Sequence, residues 1–316
     1  MRQLAIVIPA YKIEFFKATL ESLANQTCKD FTVYIGDDCS PADFESLVGE
    51  YKSKLDIVYH KFPTNMGGEN LVGQWKRCIE LSQGEPWIWL FSDDDVIGSK
   101  CVESFYKTIE IYPNHDLYHF NIDAINEKGE VIFECRRFPD VISSVDFYKK
   151  KENDDIDSFV VEYIFSRKIY DETGGFQNFD LAWGADTATW VKFAYKNGIR
   201  NISGDKVYWR KSYANITPNR DKQMSYRKFL INVCYFDWVN KYFDSENISK
   251  FNSYAFFRNF VFYSRILSHS QLGKVSDKAV EYGIITSKKK TCFMLMLPLI
   301  RIGKLIKTKI KKKRIQ

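Results

Sequence analysis

Three sets of carboxylates stand where chemistry could use them: Asp37-Asp38, Asp93-Asp94-Asp95 and Asp186. The triple acid closes the stretch WIWLFSDDD at 87–95, entered from Gly84-Glu85-Pro86. Adjacent carboxylates repel one another, and a cation among them would relieve that repulsion. Few, hard oxygen ligands suit Mg²⁺ or Mn²⁺, which keep water and phosphate oxygens as their other ligands, so such an ion could bridge a pyrophosphate. A solvated acidic turn leading into a helix near Ser99 fits the same letters. Asp37-Asp38 could accept a hydrogen bond from a pyrimidine imide N–H or a ribose hydroxyl. Asp186 follows Gly184-Ala185 at the start of a helical pattern, where aspartate is favoured for capping and dipole reasons. It could equally act as a general base toward an acceptor hydroxyl.

These acids need elements to hold them. The apolar run at 87–91 is too short for a helix and reads as a buried central strand, which puts the acids where that strand leaves the sheet. Open α/β sheets bind their ligands at that edge. Leu4–Pro9, Phe31–Gly36 and Ile57–His60 read as three earlier strands, with helices between them that carry Phe16, Leu20 and Leu23, then Leu71, Trp75 and Ile79. Ser40 and Pro41 read as the N-cap and first-turn proline of a helix running to Tyr51. Strands alternating with helices at this spacing imply parallel pairing, with helices on both faces. Further on, 99–112 reads as a helix, 117–123 as a strand, 126–129 as a hairpin turn and 136–157 as a polar irregular loop over the site. A strand is expected at 159–165, a helix at 187–197 ended by Gly198, and a basic-aromatic strand at 207–213. No GxGxxG follows the first strand and no GxxxxGK[ST] occurs anywhere, which argues against a dinucleotide fold and a P-loop.

Composition sets the frame. The chain has 316 residues, 45% of them hydrophobic, enough to bury one large domain and an appendage. Its seven cysteines are scattered without CxxC spacing, which points to a reducing compartment and no structural zinc. The net charge is +6, yet residues 287–316 alone hold eleven Lys and Arg and no acid, so the rest of the chain carries −5. Within that basic segment, CFMLMLPLI at 292–300 is too short to span a bilayer, which takes about 20 residues. With Ile302, Leu305, Ile306 and Ile310 interleaved among lysines it suits an interfacial helix on an anionic membrane surface. A nucleic-acid tail would explain the charge but not the apolar run. A disordered, solvated terminus is the other reading. From about Arg220 the pattern turns helical and aromatic.

The motifs together resemble a family 2 glycosyltransferase. IVIPAYK at 6–12 resembles the opening strand and loop; GDDCS at 36–40 resembles VDDGS, with Cys39 in the glycine position. Asn65 and Gly67 followed by QWKRCIEL resemble the NxG…NWNRxLEL block. LFSDDDV matches the DxD region, and GGF followed by WGADTATW matches the GGF…ED block. The resemblance spans roughly residues 4–216. It implies an α/β fold of GT-A (Rossmann-like) type, with a mainly parallel sheet, helices on both faces and a C-terminal helical extension. The expected domains are 1–218 for GT-A, 219–286 for the aromatic-rich helical extension and 287–316 for the basic amphipathic tail.

Carried over residue by residue, the resemblance implies that Asp38 contacts the nucleobase and that Pro9 and Tyr11 line the nucleotide pocket, Tyr11 by stacking. Asn65 joins the donor site, Asp93 lies at the donor sugar or ribose, Asp94 ligates Mn²⁺ or Mg²⁺ with Asp95 as its neighbour, and Asp186 is the catalytic base. Ala185 replaces the glutamate that usually precedes that base, and Ser92 the first acid of a DxDD. Arg210 matches a pyrophosphate contact, while Ser212 stands where histidine is common. The expected activity is inverting, metal-dependent transfer from a nucleotide-sugar, a UDP-sugar, to a glycan or lipid-linked acceptor. The expected place is the cytoplasmic face of the membrane, with no nucleic-acid partner. A non-catalytic sugar-nucleotide-binding protein and a nucleotidyltransferase are the alternatives.

Overall fold

Residues 4–10 are apolar without interruption, and a strand of that kind must be covered on both faces. The computed structural model, which describes residues 2–211 and 221–313 and side chains as far as residue 302, puts them at the centre of a sheet. The strands are β1 (Leu4–Ala10), β2 (Phe31–Asp37), β3 (Ile57–Lys61), β4 (Trp87–Leu90), β5 (Val96–Ile97), β6 (Leu117–Ile125), β7 (Val131–Glu134), β8 (Val141–Ile142), β9 (Tyr163–Ser166) and β10 (Ile199–Arg210). Their order is β3-β2-β1-β4-β9-β6-β10-β5, with β7 added to β6 and β8 to β10. The pairs β3–β2, β2–β1, β1–β4 and β6–β10 are parallel. Strand β9 runs against both its neighbours, β4 and β6.

Side-chain alternation splits the core into two layers. Leu4, Ile6 and Ile8 of β1, with Val33 and Ile35 of β2, meet Phe16, Leu20 and Leu23 of α1 (Phe16–Ala24) and Phe44 of α2 (Phe44–Gly49). The opposite face packs α3 (Leu71–Ile79) against β1, β2 and β4. Trp89 of β4 is fully buried, stacks on Phe120 at 5.0 Å and donates from Nε1 to the Val161 carbonyl at 2.6 Å. Helix α4 (Cys101–Ile111) lies on β10.

Two local expectations are corrected. The N-cap of α2 is Asp43, whose carboxylate accepts from Ser46 N, and the helix ends at Gly49. Ser40 instead donates from its hydroxyl to the Tyr11 carbonyl at 2.8 Å, joining the ends of β1 and β2. The segment 136–157 is not irregular: it holds β8 and α5 (Ser144–Glu152), capped by Ser143 and packed on α7 (Ala185–Phe193). Between β9 and α7 lies α6 (Arg167–Glu172). Tyr213, the end of the expected last strand, and Ser212 lie outside the described residues.

The chain divides into two units, Met1–Ala214 and Asn215–Gln316. The second is helical: α8 (Lys222–Phe243), α9 (Glu246–Tyr263), α10 (His269–Glu281) and α11 (Ser287–Lys313). Phe229 of α8 stacks on Phe256 and Tyr263 of α9 at 5.3 and 4.7 Å. Helix α11 packs on the others at four-residue intervals. Lys289 Nζ reaches Ser253 Oγ at 2.8 Å, Phe293 meets Phe257 at 4.8 Å, Leu297 is buried, and Arg301 donates to the carbonyls of Ser264 and Leu267. Among the described residues no helix is long and apolar enough to cross a membrane.

Candidate active site

The triple acid sits in the crossing from β4 to β5, which passes from the middle of the sheet to its far edge. Each carboxylate is drawn to a different neighbour. Asp93 Oδ2 accepts from the backbone N–H groups of Tyr11 and Lys12 at 2.7 and 2.6 Å, which pins the loop after β1. Asp95 Oδ1 accepts from the backbone N–H of Arg210 at 2.6 Å, and its carbonyl accepts from Thr19 Oγ1 of α1 at 2.7 Å. Asp94 lies between them, bonded to the Ser92 hydroxyl and paired with Lys12 Nζ at 3.2 Å. Burial, and then the charge on Asp94, push Asp93 up to about 6 and Asp95 well above the ordinary carboxylate range. The cluster thus holds more negative charge than its surroundings readily accept. The Lys12 ammonium already stands against Asp94 as a cation. The lysine's place after Ala-Tyr at the end of β1 was the only sequence signal for that role.

Arg210 has a different place from the one its motif suggested. It is 3% exposed; Nε donates to the Asp94 carbonyl at 2.7 Å and Nη1 to the carbonyls of Asn126 and Glu127. Its guanidinium also lies over the Phe15 ring at 4.6 Å. It ties the triple acid to the β6–β7 turn and to the start of α1. Lys12 is the more exposed cation at the cluster.

The second cluster closes around Asp38. Its Oδ1 accepts from Met66 N at 2.7 Å and pairs with Arg77; its Oδ2 accepts from Asn65 Nδ2 at 2.9 Å and Gly67 N at 2.8 Å. A carboxylate has about four lone-pair positions, and these four contacts occupy them. Asp38 therefore holds the loop 65–67, and Asn65 serves that loop. A Cβ on Gly67 would come within 2.8 Å of Asp38 Oδ2, so the residue must be glycine for the chain to approach this closely. Pro9 pairs with Gly36 at the end of β1, and the Tyr11 ring, 47% exposed, stands where β1 and β2 end.

Asp186 belongs to a third cluster. Leu181, Ala182 and Gly184 all have left-handed backbones, with φ of 58°, 52° and 79°, and this tight passage delivers Asp186 into the first turn of α7. Burial raises its carboxyl above the ordinary range, and the charge of Lys151 on α5 offsets part of the effect. A cavity of about 240 Å³ lined by Glu69, Asn70 and Leu71 and by residues 178–182 opens beside this passage. Glu162, just before β9, was not anticipated; its one signal in the sequence is a lone charge inside VVEYIF.

Comparison with known proteins fits this geometry. Poly(ribitol-phosphate) beta-N-acetylglucosaminyltransferase TarS of Staphylococcus aureus is 28% identical over 133 residues, 41% of this chain and 22% of TarS. An uncharacterized glycosyltransferase of Haemophilus influenzae is 34% identical over 128 residues, 39% of this chain and 41% of the relative. The chain thus spans less than half the length of these relatives. Among solved structures, TarS residues 1–349 with UDP superpose with a TM-score of 0.64 at 14% identity, covering 96% of this chain and 87% of the other. The complex with UDP-GlcNAc gives 0.58 at 13% identity, covering 89% of each. These likenesses establish the GT-A fold. Residues 5–173 match the family description Glycosyl transferase family 2, and the chain belongs to that family.

Proposed function

We propose that the protein transfers a sugar from a UDP-sugar to a hydroxyl of a glycan or lipid-linked acceptor, with inversion at the anomeric carbon. The observation that carries the reading is the pairing of a cation-bearing acid cluster at the sheet edge with a separate, buried, proton-avid carboxyl at Asp186. Structures of TarS with UDP and with UDP-GlcNAc support a uridine nucleotide as the donor. Asp94 is the residue to hold Mn²⁺ or Mg²⁺, with Asp95 beside it. The fit rests on the surplus of carboxylate oxygens and on the Lys12 ammonium already drawn to Asp94. Among the described residues no three acids, histidines or cysteines converge to hold an ion alone, so an ion at Asp94 would need ligands from outside the chain, as Mg²⁺ and Mn²⁺ sites commonly do. Such an ion supplies Lewis-acid stabilisation of the leaving diphosphate.

The chain's own residues do the rest. Asp93 fixes the loop that carries Tyr11, whose ring stacks on the base. Asp38 shapes the loop beneath it, and the half-exposed Lys12 ammonium is the cation that meets phosphate charge. Asp186 takes the acceptor proton as the hydroxyl attacks, a role that contributes about 10²–10⁴-fold. The exposed side of α11 rests on an anionic membrane surface, close to lipid-linked acceptors.

One paired experiment tests the core of this reading. Asp94→Ala should lose Mn²⁺-dependent UDP binding, measured by calorimetry, while remaining folded. Asp186→Asn should keep that binding and lose UDP-GlcNAc hydrolysis and transfer by about 10²-fold or more. Unchanged Mn²⁺-dependent binding in the first variant, or near wild-type turnover in the second, removes the corresponding assignment.

A further inference from the structure

Glu162 is a fully buried acid to which the reaction above gives no part. One oxygen, Oε1, accepts from Phe159 N; the other, Oε2, has no hydrogen-bond partner among the described residues. On one side stands His119 of β6, 1% exposed, its Nε2 4.0 Å from Glu162 Oε1 and likewise without a partner. His119 Nδ1 faces Asn201 Oδ1 at 3.2 Å, and an amide oxygen only accepts. Nδ1 therefore carries the hydrogen, and Nε2 presents a lone pair toward Glu162. The imidazole is sealed by Phe138, stacked at 3.7 Å, and by the edge of Tyr163, and burial pushes it down to about 3. His119 is thus neutral and supplies no charge to an ion pair.

On the other side stands the start of α7. Trp190, one turn after Asp186, stacks on Tyr163 at 4.4 Å and donates from Nε1 to the Phe159 carbonyl at 3.2 Å. This lays the Asp186 end of α7 against the turn 159–163; burial raises both Glu162 and Tyr163, and the Asp186 charge adds a smaller push in the same direction. The cation facing the group is Lys151 of α5, fixed to the Ser158 carbonyl at 2.7 Å, and its charge bears on both acids. The Tyr163 hydroxyl is engaged with Ser158 Oγ at 2.8 Å. Two acids in a dry setting with one lysine cannot both ionise cheaply. A buried oxygen without a partner, and beside the other oxygen an imidazole that brings no charge, leave a carboxylate here poorly supported and suit the protonated form of Glu162.

We propose that Glu162 is a positioning residue for Asp186: a neutral carboxylic acid, held behind the base, that leaves Asp186 the only negative charge of the pair. The proposal rests on Asp186 being the base. Ala185 offers no carboxyl beside that base, and Glu162 supplies one from the neighbouring strand. Burial pushes Glu162 up from 4.5 to about 8. The stability this acid contributes is therefore complete below pH 4.5 and lost as pH rises through about 8.

The test uses the full chain, with Mn²⁺-supported UDP-GlcNAc hydrolysis as the probe, comparing wild type with Glu162→Gln and Glu162→Met. In wild type the rate should bend on an alkaline limb near pH 8, where an ionised Glu162 adds a second negative charge beside Asp186. In Glu162→Gln, whose amide copies the neutral acid, that limb should vanish while the acid limb set by Asp186 stays in place. Independently of activity, infrared difference spectra of wild type between pH 6 and 9 should show a protonated carboxyl disappearing. Both variants should lack that signal, and their melting temperatures should fall less over the same range. An acid limb shifted downward in Glu162→Gln would mean that Glu162 is ionised, and would overturn the proposal. So would the absence of a protonated carboxyl at pH 7. Activity retained in Asp186→Asn would instead strike at the base assignment, a separate failure.

Discussion

Cys39 carries a left-handed backbone, φ 56°, in the position where the related motif has glycine. An L-residue there costs about 1–2 kcal/mol, and glycine costs nothing sterically but loses more chain entropy on folding. Cys39→Gly should therefore hold or raise stability, by up to about 1 kcal/mol, whereas Cys39→Val should lower it by about 1–3 kcal/mol because a β-branched side chain resists this conformation. Urea unfolding of the two variants checks the order, and a more stable valine variant would show that the turn carries no strain. This position was legible in the sequence because the motif itself marked it. The partners of the other site residues were not. Arg77 lies 39 positions from Asp38, and Arg210 lies 116 from the Asp94 carbonyl it binds. No local pattern reports such distances, so an arginine that braces the site and a lysine that faces it read alike in the sequence. Asp93, Asp94 and Asp95 were adjacent letters assigned to donor and metal, and packing ties each of them to a different protein neighbour that no letter announced.

Helix α11 shows how an element can be foreseen in kind and still differ in its surroundings. Its basic, interrupted apolar run predicted an amphipathic helix, and the helix is there, continuous through Pro298. What composition could not show is that Phe293, Leu297 and Arg301 face the helical unit and belong to its packing. The remaining apolar positions form a stripe toward solvent: Leu295 is 75% exposed, Leu299 70% and Ile302 54%. In the sequence the same spacing continues with Ile306 and Ile310 among lysines. Ending the chain at Thr286 would strip cover from Phe257 and Phe260 as well as remove the stripe, so substitution is the cleaner test. Leu295→Glu with Leu299→Glu should leave the unfolding free energy within about 0.5 kcal/mol of wild type, as exposed changes do. It should also cut sedimentation with anionic vesicles at least tenfold, since each leucine inserted is worth about 1.5–3 kcal/mol. Equal pelleting of variant and wild type, or of neither, would detach the membrane from the function. The segment 136–157 erred in the opposite direction: its polar sequence hid α5, whose helix rests on the Ser143 cap and on burial of Phe147 and Tyr148 rather than on a long apolar face.

At the scale of the molecule, the sheet was readable because β1 and β4 are unbroken apolar runs and β2 is mostly apolar, all three buried along nearly their whole length. The reversed strand β9 was not, since nothing within Tyr163–Ser166 states its direction. The proposed inversion bears on this sheet, which ties down several of the carboxylates of the site. Retention by double displacement needs an ionised carboxylate as nucleophile. Asp93 is tied to two backbone amides and Asp95 to a third, both raised by burial, and Glu162 is enclosed between β6 and α7. Under the proposed role of Asp186 as the single base, the hydroxyl attacks directly, opposite the departing diphosphate. An α-linked donor such as UDP-GlcNAc should then release the β-anomer first. Proton NMR during Mn²⁺-supported hydrolysis, read before the free sugar mutarotates, shows which anomer forms. Initial β-anomer in wild type, with the signal lost in Asp186→Asn, is the expected pair of results. First-formed α-anomer would mean retention, and would remove Asp186 from the role of simple base for a direct displacement.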